Sequence, residues 1–234
     1  MKYKNILFDL DGTLLPMDLD AFKKDYFTML VKSISNHGYE PGELMHAILL
    51  GIDAMLKNDG EMTNEKAFFD VMCGIYGDKI YSDKVYFEEF YDKEFDNIKK
   101  TVGFNPDARW VVTRLKEAGY RLILATNPVF PVAATYKRMA WAGIDPSFFE
   151  LITTYENSNF SKPRKEYYKE IIDKARILPS ECLMVGNDTS DDLAASEIGI
   201  DVFLVTDNLI NGSGIDVSKY PNGKLQDLLT FIGL

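Results

Sequence analysis

Cysteine is scarce in this 234-residue chain: Cys73 and Cys182 stand far apart and in no paired motif. That argues against a disulfide scaffold and for a reducing compartment, with each thiol a small core residue rather than a nucleophile. Histidine is equally scarce. His37 precedes Gly38 at the end of a helical pattern and His46 lies in an apolar one. Neither has partners at metal-ligand spacing, so helix-end and packing roles are expected. Positive charge is in deficit, with 26 Lys and Arg against 36 Asp and Glu and a formal net charge of −10. A general nucleic-acid or anionic-membrane binder would present a basic face instead. An anionic substrate stays open, because a bound cation can reverse the local field. Long hydrophobic runs are also missing. The stretch 44–56 is broken by His46, Gly51 and Asp53, and Ile6-Leu7-Phe8 is too short for a signal peptide. A cytoplasmic protein without a membrane or nucleic-acid partner is expected; nothing in the sequence speaks to its oligomeric state.

What the chain does have is a change of hydrophobic period. Residues 3–10 read as a buried strand. From 18 to 100 the spacing is helical, with candidates at 20–35, 42–57, 63–76 and 83–99. The stripe Val85, Phe87, Phe90, Tyr91, Phe95 and Ile98 reads as core. Beyond Gly103-Phe104-Asn105-Pro106 helices and strands alternate. Helices are expected at 107–118, 131–142, 164–175 and 190–198, and strands at 121–125, 149–154, 182–185 and 202–205. That alternation predicts an α/β fold with a parallel sheet covered on both faces. Residues 1–16 and 101–234 are therefore expected to form one α/β core domain, and 17–100 an inserted all-helical lobe. The Asn-, Gly-, Ser- and Asp-rich stretch 207–223 reads as an irregular surface loop.

Four places could carry chemistry. The first strand ends in Asp9-Leu10-Asp11-Gly12-Thr13. If the strand ran on through both acids, alternation would put them on one side, and Gly12 lets the chain break away tightly. A carboxylate pair at the carboxyl end of a strand can hold a hard cation and divide nucleophile and acid/base work. A second strand ends in Ala125-Thr126-Asn127-Pro128, which offers a hydroxyl and an amide to a phosphate oxygen. In Ser161-Lys162-Pro163 the proline holds the lysine backbone extended and aims a cation. A further strand ends in Gly186-Asn187-Asp188-Thr189-Ser190-Asp191-Asp192, with more acids than helix capping needs. Each segment alone also has an ordinary reading: a turn, a surface lysine, or a capped helix start.

Together and in this order, the four segments resemble the haloacid dehalogenase superfamily of hydrolases, across the whole chain. The helical lobe between the first and second segments resembles the subgroup with an α-helical cap. The resemblance implies a Rossmann-like core closed over by that cap. It implies Asp9 as nucleophile forming an aspartyl-phosphate, and Asp11 as the acid that protonates the leaving oxygen and then activates water. Mg²⁺ would be held by Asp9, the backbone carbonyl of Asp11, Asp188 and, through water, Asp192. Thr126, Asn127 and Lys162 would grip the transferring phosphoryl group. The sequence departs from the pattern at Asn187, where members often carry an acid, and at Asn127-Pro128, where a small residue is more typical.

The expected activity is Mg²⁺-dependent hydrolysis of a small phosphorylated metabolite. A dehalogenase typically lacks the second aspartate, and a phosphate-pumping ATPase would carry Lys at position 10 together with membrane spans. A sugar phosphomutase shares Asp9 and Asp11 and is the enzyme alternative. Residues 17–100, however, hold ten Lys, no Arg and seventeen Asp or Glu, a poor setting for a second phosphate. A non-catalytic binding protein on the same fold is the remaining alternative.

Overall fold

The computed structural model of the protein describes residues 2–234. Strand β1 (Asn5–Phe8) is buried at every position. The chain then enters five helices, α1 (Leu19–Ser35), α2 (Pro41–Lys57), α3 (Asn64–Tyr76), α4 (Lys79–Ser82) and α5 (Lys84–Lys93), and a 3₁₀ segment, Phe95–Thr101. Alternation follows: α6 (Pro106–Glu117), β2 (Arg121–Leu124), α7 (Val132–Trp141), β3 (Phe149–Ile152), α8 (Lys165–Ala175), β4 (Cys182–Gly186) and β5 (Asp201–Val205). A two-residue strand β6 (Asn222–Gly223) and α9 (Asp227–Ile232) close the chain. The expected α/β class is what the structure has.

The six strands are all parallel, in the order β3-β2-β1-β4-β5-β6. Strand order reverses at β1, whose neighbours are β2 and β4. Such a switch point opens a crevice at the carboxyl ends of the strands, because the flanking connections leave toward opposite faces. Period-two alternation splits the sheet's apolar residues between two clusters. Leu7, Ile123, Met184 and Leu204 pack with Tyr167, Tyr168 and Ile171 of α8. Ile6, Phe8, Leu122, Leu183 and Phe203 pack with α6 and α9, in a cluster continuous with the helical lobe. Among the described residues no helix is long and apolar enough to cross a membrane.

Four expectations change in detail. The helix expected at 83–99 ends at Lys93 and tightens into the 3₁₀ segment, where Phe95 and Ile98 remain fully buried. The helix expected at 190–198 is a 3₁₀ turn, Leu193–Ile198, because Asp188 Oδ1 accepts the N–H groups of Ser190 and Asp191 and holds the preceding residues in a side-chain-capped turn. The stretch 207–223 is more than surface loop. It supplies β6, pairs Ile210 with Asp188, and sends Asn208 Nδ2 to the carbonyl of Gly12 at 3.2 Å. His37 stacks on Tyr86 with ring centroids 3.6 Å apart, whereas His46, expected to pack, is exposed.

The two crossings into the helical lobe lie side by side: Met17 pairs antiparallel with Val102, and Gly103 N–H donates to the Pro16 carbonyl at 2.7 Å. A second seam joins lobe and sheet. Asn64, fully buried at the start of α3, donates from Nδ2 to Pro128 O and Ser161 Oγ, both at 3.1 Å. Its backbone N–H reaches Ser158 O at 2.8 Å.

Candidate active site

The sheet sets the site because the backbone stays paired just past the strands. Asp9 N–H donates to Val185 O at 2.9 Å, and Ala125 N–H to Phe8 O at 2.7 Å. Three chain segments therefore leave the sheet at one level, carrying Asp9, Thr126 and Asn187 with them. Asp9, Asp11, Thr126, Asn127, Asp188, Asp191 and Asp192 line one cavity of about 270 Å³, with Leu19 and Lys23 of α1, Val129, Asn187 and Ile210 around them. Seven acid, hydroxyl and amide residues singled out from the sequence thus share one space.

Lys162 lies beneath that wall rather than on it. It is buried, with Nζ 2.8 Å from Asp9 Oδ1 and 2.7 Å from Asp192 Oδ1. Burial works against its charge, but Asp192 and Asp9 outweigh burial and hold the ammonium well above the usual lysine value. In return, burial pushes the Asp9 carboxyl up while Lys162 pulls it back toward the ionised form. Lys162 is thus held between Asp9 and Asp192.

Asp192 is the second partner of Lys162. Oδ1 takes Lys162 and Oδ2 accepts the Asp188 N–H at 2.9 Å, so both oxygens are engaged in a buried pocket. Gly186 is required there, since a Cβ would stand 2.1 Å from Asp192 Oδ2. Burial raises the Asp192 carboxyl to about 6, and the same cause raises Asp191 to about 6. Among the described residues no three His, Cys, Asp or Glu side chains converge closely enough to hold a metal ion. Asp9, Asp11 and Asp188 nonetheless line the one cavity, and Asp192 beside them is paired with Lys162. The donor chemistry still suits a hard cation. Five carboxylates line the cavity, against Lys162, Arg138 and the exposed Lys23, and every donor is oxygen. Mg²⁺ keeps several of its waters and needs only one or two carboxylates, so a partial set suffices.

Asn187 replaces an acid with a clamp. The Thr13 hydroxyl lies 3.0 Å from Asp9 Oδ2 and 2.9 Å from Asn187 Oδ1, and Asn187 Nδ2 donates to Asn208 O at 2.7 Å. Gly12, at φ +89°, lies against it; a Cβ there would sit 2.2 Å from Asn187 Nδ2.

Sequence reasoning missed three residues. Arg138 of α7 is completely buried and its guanidinium pairs with Asp11 Oδ2. It stands over the Phe130 ring, 4.4 Å from the centroid, and reaches Thr135 Oγ1 at 3.3 Å. Burial raises the Asp11 carboxyl, and Arg138 is the chief group opposing that rise. The signal was present: Pro131, Ala134, Thr135, Arg138 and Ala142 fall on one helical face, so a charge sits in an apolar stripe. The other two are adjacent tyrosines of α8. Tyr167 OH donates to the Thr126 carbonyl at 2.8 Å, and Tyr168 OH to the Asp191 carbonyl at 2.7 Å. They tie the second and fourth segments to the helix that follows Lys162.

A six-stranded parallel sheet with five carboxylates on one cavity at its switch point defines a Rossmann-like α/β protein with an acidic site. The chain belongs to the haloacid dehalogenase-like hydrolase family, whose model matches residues 3–199. Solved structures share the fold at low identity. A HAD phosphatase from Thermococcus onnurineus is 20% identical, with a TM-score of 0.60 over 98% of each chain. A predicted phosphoglycolate phosphatase from Haemophilus somnus 129pt is 20% identical, with a TM-score of 0.59 over 99% of each. A 2-haloacid dehalogenase from Pseudomonas syringae pv. tomato DC3000 is 18% identical, with a TM-score of 0.60 over 98% of each. No curated protein matches the sequence significantly.

Proposed function

We propose that this hydrolase is a Mg²⁺-dependent phosphatase of small phosphomonoesters, working through an aspartyl-phosphate on Asp9, with the helical lobe as a cap over the site. The observation that carries this reading is the second carboxylate, Asp11, on the same cavity as Asp9. A halide leaves carbon as a stable anion and needs no proton. The alkoxide of a phosphate ester needs one, and Asp11 is the group able to supply it.

In the first step an Asp9 oxygen bonds to phosphorus as the ester P–O bond breaks, and the leaving oxygen takes a proton from Asp11. In the second, ionised Asp11 takes a proton from water, the hydroxide oxygen bonds to phosphorus, and the P–O bond to Asp9 breaks. Lys162 keeps Asp9 ionised for the attack. Thr126 Oγ1 and the Asn127 amide donate to the phosphoryl oxygens. Asp9, the Asp11 carbonyl and Asp188 would hold Mg²⁺, which supplies charge neutralisation between the carboxylate and the phosphate dianion.

The test is phosphate release from a panel of phosphomonoesters with Mg²⁺ and with EDTA. Wild type should turn over only with metal, and Asp9→Asn should be inactive. Asp11→Asn should lose about 10²–10⁴-fold. Release that survives EDTA or Asp9→Asn would reject the mechanism.

A further inference from the structure

The catalytic cavity does not end at Asp11. A second cavity, of about 160 Å³, adjoins it and shares Asp11, Leu19, Lys23 and Val129 with it. Its remaining wall is apolar: Met17, Phe22, Tyr26, Phe27, Ile52 and Phe130. The one hydroxyl in that wall is already engaged, because Tyr26 OH hydrogen-bonds Tyr91 OH at 2.7 Å in a buried pair. Phe130 is packed between the ring of Tyr26, 5.1 Å away, and the Arg138 guanidinium. A sugar or glycerol leaving group placed here would strand its hydroxyls against ring faces, at the desolvation cost of unpaired polar groups. An apolar cavity of ~150 Å³ accepts a benzene ring, so this one has room for a single ring.

Building on the phosphatase reading above, we infer that this aromatic cavity is the leaving-group subsite, and that the substrate class is a phosphomonoester of a small hydrophobic alcohol, with one aromatic ring or a branched chain of similar bulk. The phosphoryl group sits against Asp9, Thr126 and Asn127. The ester oxygen passes Asp11, where both cavities meet. The apolar body lies among Phe22, Tyr26 and Ile52. Lys23 stands exposed at the shared mouth.

The experiment compares benzyl phosphate with glycerol phosphate and a hexose 6-phosphate. All are primary alkyl esters, so their leaving oxygens are chemically matched. Burying one ring should raise kcat/KM for benzyl phosphate about 10- to 100-fold over the polyol esters. Ile52→Phe, which fills the cavity away from the carboxylates, should erase that preference. Preference for the polyol esters, or an unchanged ratio in Ile52→Phe, overturns the subsite and leaves the phosphatase reading intact. If no ester is hydrolysed, the phosphatase reading fails and the subsite is judged by binding alone. The Ile52 and Val129 methyl NMR signals should then shift saturably with benzyl alcohol and not with glycerol. Silence in that titration overturns the subsite too.

Discussion

Replacing Arg138 with methionine removes a buried guanidinium and keeps most of its bulk against Phe130. The side chain is wholly buried, while its partner Asp11 keeps 21% side-chain exposure toward the cavity. Breaking a buried pair from one side costs about 3–5 kcal/mol because the remaining charge is stranded. Asp11 can rehydrate through the cavity, which places the loss at the low end, about 3 kcal/mol. For a chain of this size that lowers Tm by about 6–12 °C. The catalytic effect has its own sign. Arg138 is the chief influence holding the Asp11 carboxyl down against burial, so its removal moves that carboxyl further up. The first step needs Asp11 protonated, so the alkaline limb of the kcat/KM profile should move to higher pH. Arg138→Lys retains charge and should move the limb less. Asp11→Asn/Arg138→Met removes both charges of this pair and should recover most of the lost stability. Thermal unfolding and a pH profile on any hydrolysed ester test both halves. A Tm change under about 1 °C, or an alkaline limb that stays put, would refute the argument.

Two further outcomes are expected. In EDTA, Asp191 and Asp192 bind protons more tightly in the folded chain, near pH 6, than carboxyls do when unfolded, near pH 3.9. Their contribution to stability is complete below about pH 4 and declines as pH rises to about 6, by a few kcal/mol in all. Urea midpoints should therefore fall across that window, and a rise would contradict the assignment. Gly12→Ala places a Cβ into Asn187 at a positive φ, which should destabilise by about 2–4 kcal/mol; an unchanged unfolding midpoint would show that the clamp yields.

The parallel sheet was readable because each strand is a short apolar run closed by punctuation: Phe8 before Asp9, Ala125 before Thr126, Val185 before Gly186. Positions of chemistry were readable for the same reason, since polar residues that directly follow a buried strand have few places to go. What stayed hidden depends on distance in the chain. Arg138 and Asp11 are 127 positions apart, and no local pattern says which acid a buried arginine will meet. The engagement of Asp192 was hidden likewise, because it requires knowing that Lys162 turns inward. The 3₁₀ turn at Leu193–Ile198 was missed because side-chain capping by Asp188 competes with the helix the apolar spacing suggests. The pairing of Ile210 and Asn208 with the site was invisible in a stretch whose composition reads as solvent-exposed.

The seam at Asn64 bears on how such a lobe can change over evolutionary time. Its two ends emerge as neighbours at Met17 and Val102, the arrangement that would let a whole lobe be exchanged by recombination. Asn64 works against that exchange. A foreign lobe lacking it would leave Pro128 O and Ser161 Oγ without their donor, one residue from Asn127 and one from Lys162. New specificity is therefore expected to arise by drift on the lobe's inner face, with residue 64 and the loops it holds inherited together.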